Sequence, residues 1–130
     1  MSGDEAWRAE LREKVSGEIR FDEPADRHTS MGVGGRIGAL IYPDSEADLL
    51  AAVTSLRECR IPFLPVGNWT NLIVAGGGYG GALISLAALR AVAVTVGDSG
   101  EARLEAGAGA ALSELVTLAV GRAFTGIEFC

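Results

Sequence analysis

From Ile61 to Leu89 the chain carries no charged side chain. A stretch this long and this neutral must either cross a membrane or sit inside a protein core. Pro62, Pro65, Asn68, Asn71 and the run Gly76-Gly77-Gly78-Tyr79-Gly80-Gly81 break any continuous helix, which excludes a membrane span. The remaining solution is a set of buried strands joined by polar turns. Within it, Leu64-Pro65-Val66 runs into Gly67-Asn68-Trp69-Thr70-Asn71 and leaves through Leu72-Ile73-Val74. Such a turn directs several backbone N–H groups toward one point, with little bulk at Gly67, and is a cradle for a phosphate or diphosphate. It contains no Lys or Arg, so a bound anion would be held by main-chain amides and the polar groups of Asn68, Thr70 and Asn71. Hydrogen bonds to charged groups contribute about 1.5–3 kcal/mol each, so a few suffice without a cation. A tight loop with no ligand is the alternative. Trp69 is large for a mere turn residue and could stack on a flat ring or cover the loop.

The whole chain of 130 residues is long enough for one domain or two small subdomains. Its net charge of −6 argues against nucleic acid or an anionic membrane as partner. Cys59 and Cys130 are too few and too far apart for a disulfide scaffold or a zinc site. The first 17 residues are charged throughout and do not read as a signal peptide; a cytoplasmic location is expected.

Charge is concentrated early and glycine late. Thirteen of the 28 charged residues precede position 28, whereas 16 of the 18 glycines lie from Gly32 onward. Trp7, Leu11 and Val15 recur at helical spacing, which predicts a surface helix from Asp4 to Ser16, ended by Gly17. Ile37 to Tyr42 reads as a buried strand closed by Pro43. Ser45 with Asp48 opens a helix in a capping-box pattern, with Leu49, Leu50, Val53 and Leu56 inward and an end near Arg60. Phe63 to Val66 is the next strand, so the segment predicts a strand–helix–strand unit with its strands paired in parallel. The Gly67 turn then falls at the carboxyl end of a strand, where open α/β sheets bind ligands.

Leu72 to Val74 and Ala82 to Leu86 read as strands, and Gly97-Asp98-Ser99-Gly100 as a hairpin turn between Ala91–Val96 and Ala102–Ala106. Ala111 to Val120 predicts a helix with Leu112, Leu115, Val116 and Ala119 inward and Gly121 at its end, followed by an extended segment from Phe124 to Phe129. The apolar ending Gly126-Ile127-Glu128-Phe129-Cys130 reads as an interruption, as in a fragment.

Three further features bear on function. Gly32-Val33-Gly34-Gly35 permits a close backbone approach or a structural turn. Ala106-Gly107-Ala108-Gly109-Ala110-Ala111-Leu112 approximates the dinucleotide fingerprint, with Glu128 21 positions after Gly107. This opens a rival reading as a Rossmann NAD-binding domain, against which stand the missing third glycine and the hairpin pattern ahead of Gly107. His28 is the only histidine; it could be a general base, but no partner is visible in the sequence.

These pieces together resemble the amino-terminal half of the UDP-N-acetylenolpyruvoylglucosamine reductase (MurB, UDP-N-acetylmuramate dehydrogenase) family, within the flavoproteins that have a vanillyl-alcohol-oxidase-type FAD domain. The residues that carry the resemblance are His28 to Gly35, Tyr42-Pro43, Ile61 to Val74, Gly78 to Gly81, Ala106 to Gly109 and Gly126 to Phe129. It covers about Arg20 to Cys130. It implies an α+β fold: a two-subdomain FAD-binding domain over residues 20–130, after an amino-terminal helix in residues 1–19, with a small parallel βαβ unit and an antiparallel sheet with helices. It further implies noncovalent FAD, held at Val66, Gly67, Asn68, Trp69, Thr70, Asn71 and Leu72 and near Gly107, Ala108 and Gly109. NADPH would be the hydride donor and a UDP-sugar the substrate of the full enzyme. The family's serine proton donor, its nearby carboxylate and its substrate-binding arginine would follow position 130, so no catalytic residue is assigned and a polypeptide of these 130 residues is expected to be inactive. Trp69 departs from the small residue the family often has there. A partner-binding module that keeps the fold without catalysis is the remaining alternative.

Overall fold

The computed structural model describes residues 3–69 and 72–128. Two compact units divide the chain, Met1–Ala88 and Leu89–Cys130, and the architecture is α+β. The first unit runs from helix α1 (Gly3–Lys14) through strand β1 (Glu18–Pro24), a single 3-10 turn (Ala25–Arg27) and strand β2 (Arg36–Tyr42). Helix α2 (Glu46–Glu58), strand β3 (Phe63–Val66) and strand β4 (Tyr79–Ser85) complete it.

The four strands form one sheet in the order β1-β2-β4-β3. β2 and β3 both run parallel to β4, as in Leu40↔Leu83 and Leu64↔Leu83, and β1 is antiparallel to β2. The expected unit β2-α2-β3 is therefore present, but β2 and β3 do not pair directly: β4 lies between them. β4 is apolar on both faces, which suits a central parallel strand covered on both sides. Strand β1 has no clear signal in the sequence pattern. Its Ile19 and Phe21 alternate with charged residues, and only its pairing with β2 makes it a strand.

One face of the sheet packs Ala39, Ile41, Ala82 and Ile84 in one cluster with Ala52 and Leu56 of α2 and Trp7 and Leu11 of α1. The indole of Trp7 meets Phe21 edge-on at 6.0 Å, and Arg8 forks onto Asp22 at 2.8 and 2.9 Å. The helix ends at Lys14, earlier than Ser16, and Gly17 is not a left-handed cap. A Cβ on Gly17 would strike the Tyr42 carbonyl, so glycine is needed there for close approach.

In α2 the Ser45 hydroxyl accepts the Asp48 N–H at 3.1 Å, as the capping pattern implied. The Asp48 carboxylate does not return to Ser45. It binds the N–H groups of Ser16, Gly17 and Asp44 instead. The helix ends at Glu58 and Arg60 takes φ +56°, so the chain turns before Pro62. Leu50 is 66% exposed rather than inward. Ala52, Ser55 and Leu56 make the buried stripe, with Leu49 and Val53 at its margin.

The opposite face packs Ile37, Leu40 and Leu83 with Ala25, Val66, Trp69 and Val74. Loops cover it, not helices. Leu72 to Val74 is not a strand but part of this covering loop.

The second unit contains strands β5 (Val92–Val96) and β6 (Ala102–Ala106) and helix α3 (Leu112–Gly121). β5 and β6 pair antiparallel, Val92↔Ala106 to Val96↔Ala102, about the expected turn, where Gly100 takes φ +87°. In α3 Leu112 is exposed and Ala119 buried. Gly121 lies inside the helix; Ala123, at φ +55°, takes the left-handed position. The N–H of Ala123 reaches the Val120 carbonyl at 3.1 Å and that of Phe124 the Ala119 carbonyl at 2.8 Å, a Schellman ending. Phe124 to Glu128 forms no strand. Among the described residues, no helix is long and apolar enough to cross a membrane.

Candidate functional site

β3 delivers its last residue, Val66, into the core, where it is buried beside Leu83 and Trp69. The next two residues, Gly67 and Asn68, emerge at the carboxyl end of the strand and are exposed. Among the described residues, no backbone hydrogen bond is made to the N–H of Gly67 or Trp69. A Cβ at Gly67 would meet no described atom within 4 Å. The turn is therefore not part of the sheet ladder and has room at its glycine. Thr70 and Asn71 lie outside the described residues.

Trp69 is only 8% exposed, and its backbone takes φ +65°. A left-handed conformation costs a non-glycine residue about 1–2 kcal/mol. Burying an indole of about 200 Å² contributes on the order of 5 kcal/mol, so packing decides the conformation. The flat ring that Trp69 stacks on belongs to the chain itself: the His28 imidazole lies 4.9 Å away at an interplanar angle of 27°. His28 Nε2 in turn lies 2.7 Å from Glu23 Oε1, with the nitrogen donating to the carboxylate. That hydrogen bond, helped by Arg20 at 3.4 Å and opposed by burial, holds the Glu23 carboxyl below the usual carboxylate range. His28 thus has the polar partner the sequence did not reveal. The clue available in the sequence was the five-residue spacing of Glu23 and His28 across the 3-10 turn, which is not a recognised pairing distance.

The turn's exit is fixed by glycine-to-glycine packing. The Gly35 N–H donates to the Ala75 carbonyl at 3.0 Å. A Cβ on Gly34 would meet Val74 and Ala25, and one on Gly35 would meet Gly76 and Gly78. Gly32-Val33-Gly34-Gly35 is therefore a structural turn making close approach to the chain's own backbone. Beside it, Leu72 lines an apolar cavity of about 180 Å³ with Leu64, Val74, Tyr79 and Leu83.

Gly107, Ala108 and Gly109 belong to the second unit and have a different character. The Gly107 N–H donates to the Ala91 carbonyl at 2.8 Å and that of Gly109 to the Leu89 carbonyl at 2.9 Å. A Cβ on Gly107 would collide with the Leu89 carbonyl, which accounts for the glycine. The strand ahead of it is the second arm of an antiparallel hairpin, and both oxygens of Glu128 accept the Gly126 N–H at 2.9 Å. The Gly107 segment follows a hairpin strand and not a parallel crossover, and the Gly107 and Gly109 N–H groups are taken by the chain's own carbonyls, so the segment lacks the features a Rossmann NAD site requires.

A flavin nucleotide fits the first site by its chemistry. Among the described residues the Gly67 and Trp69 N–H groups lie outside the sheet ladder, as an anion-binding turn requires, and the Leu72 cavity is apolar. The family model described as "FAD binding domain" matches residues 37–128. The chain is 44% identical over 121 residues to a UDP-N-acetylenolpyruvoylglucosamine reductase from Syntrophus aciditrophicus (strain SB), covering 93% of this chain and 39% of that one. Proteins of the same name from Geobacter metallireducens and Heliobacterium modesticaldum are each 40% identical, over 121 and 113 residues. They are covered to 39% and 35% of their lengths. The chain thus spans less than two fifths of these relatives.

Proposed function

Since the chain belongs to the FAD-binding domain family, we propose that it is the flavin-holding portion of a UDP-N-acetylmuramate dehydrogenase. In this reading Gly67, Asn68 and Trp69, with Thr70, Asn71 and Leu72, hold the FAD diphosphate noncovalently. The observation that carries the reading is the turn at the carboxyl end of β3, with its N–H groups outside the ladder and open space at Gly67. FAD would supply hydride chemistry, with NADPH as donor and the enolpyruvyl double bond of a UDP-sugar as acceptor, in cytoplasmic peptidoglycan precursor synthesis. The chain's own contribution is to bind and orient the nucleotide. The groups that would bind the sugar and donate the proton are not assigned to these 130 residues, so the polypeptide alone binds flavin without turnover.

The test is flavin retention through gel filtration, read from the visible spectrum, for the parent and for Gly67→Asp. A Cβ at Gly67 meets no described atom within 4 Å, and the aspartate would place a carboxylate against the diphosphate; a thermal melt matching the parent's checks that the fold is kept. Binding by the parent and its loss in the variant is the expected result. Equal binding by both overturns the assignment of the turn.

A further inference from the structure

Three relationships converge on His28. Its ring is stacked on Trp69, its Nε2 is held by Glu23, and Glu23 is itself buried, with Arg20 at 3.4 Å. Trp69 is the last described residue before the turn's midpoint, and it is the one whose backbone is left-handed. A left-handed tryptophan remains so only while its side chain is captured. The capture has two parts. Aliphatic side chains of the sheet face make up the first, and the His28 imidazole is the second. The imidazole comes from a segment 41 positions earlier in the chain, and without Glu23 it could rotate away.

We propose that His28 is a positioning residue for the nucleotide turn. Its imidazole, oriented by Glu23, holds the Trp69 indole in place and thereby keeps the backbone at Gly67 and Trp69 in the conformation that leaves their N–H groups outside the sheet ladder. His28 does not touch the ligand; it acts through Trp69. The inference deepens the reading of this turn as the FAD cradle and rests on it. It assigns the chain's single histidine a role other than acid–base chemistry, consistent with both of its contacts being internal.

The test compares His28→Ala with His28→Phe in the full 130-residue chain. Both variants lose the hydrogen bond to Glu23 equally, so their difference isolates the flat ring. His28→Leu replaces the alanine variant should thermal melting show the latter unfolded. Flavin affinity is read by quenching of flavin fluorescence, and the state of Trp69 by acrylamide quenching of tryptophan emission. The only other tryptophan, Trp7, is buried in the opposite core. The expected result is affinity weakened about tenfold in His28→Ala with greater acrylamide access, and rescue to within about threefold of the parent in His28→Phe. Unchanged affinity in His28→Ala overturns the proposal, as does equal loss in both variants. If the parent itself fails to bind flavin, the cradle reading falls, and acrylamide access alone decides. A rise in the alanine variant and not in the phenylalanine variant then supports the positioning role, and no rise overturns it.

Discussion

The carboxylate of Asp48 and the backbone of Gly17 are joined across 31 positions of sequence: Oδ2 accepts the Gly17 N–H at 2.9 Å, while Oδ1 takes that of Ser16 at 2.7 Å. One side chain in the first turn of α2 thereby fixes where the chain leaves α1 and enters β1. Burial pushes the Asp48 carboxyl up, but the bonds from Ser16, Gly17 and Asp44 outweigh it and hold the group below its ordinary value. A carboxylate lowered by folding stabilises the native state above its unfolded value of about 3.9, and that contribution is lost as pH falls through the folded value. Asp48→Asn keeps one acceptor oxygen and loses the charge. It should destabilise the chain by on the order of 2 kcal/mol at neutral pH. Urea midpoints measured from neutral pH into acid should show the two proteins converging below the ordinary carboxylate range; a constant gap would refute the charge-based account.

Two glycines that look alike in the sequence should respond differently to alanine. At Gly107 the added Cβ collides with the Leu89 carbonyl, and overpacking of this kind costs about 1–3 kcal/mol. At Gly67 it meets nothing described within 4 Å. Hydrogen exchange should show lost protection across residues 89–110 in Gly107→Ala and an unchanged pattern in Gly67→Ala.

Ala123 occupies the left-handed position that ends α3, at φ +55°. Glycine is favoured there because no Cβ opposes the carbonyl. Ala123→Gly should therefore stabilise the chain by about 1 kcal/mol, allowing for the greater freedom of glycine in the unfolded state. A raised thermal midpoint is the expected reading, and a lowered one would show that the side chain contributes packing that outweighs the strain.

The Cys59 thiol donates to Glu10 Oε2 at 3.2 Å. That hydrogen bond, then burial and nearby acidic charge, pushes the thiol up and keeps it from ionising. Iodoacetamide should label Cys59 more slowly than an unstructured cysteine at mildly alkaline pH, as read by peptide mapping. Glu10→Gln should accelerate the labelling; an unchanged rate would mean that access, not the carboxylate, governs it.

Much of this was legible in residue pattern. The spacing of Trp7, Leu11 and Val15 locates α1, Ser45 locates the start of α2, and the Gly97–Gly100 turn locates the hairpin, because each depends on neighbours a few positions apart. The site was legible only as a turn with room at Gly67. The order of strands was not, because β4 enters between β2 and β3 through contacts decided in three dimensions, such as Leu40↔Leu83 and Leu64↔Leu83. Leu50 and Leu112 show the same limit: helical spacing allows them inward, but the helix face that meets the sheet leaves them out. The stacking of His28 on Trp69 spans 41 positions and has no local signature.

The placement of β3 at the end of the order β1-β2-β4-β3 leaves one margin of that sheet without a neighbouring strand among the described residues. Pro65 stands on this margin, exposed and aligned with Ile84. The carbonyls of Pro62 and Val66 bond to the Ala82 and Leu86 N–H groups of the β4 side, so the intervening Pro65 points its nitrogen away from the sheet. A proline nitrogen has no hydrogen to offer, and an outer strand so interrupted is a poor template for a second molecule. The ring that costs the sheet no internal bond thus guards it against fibrillar self-association.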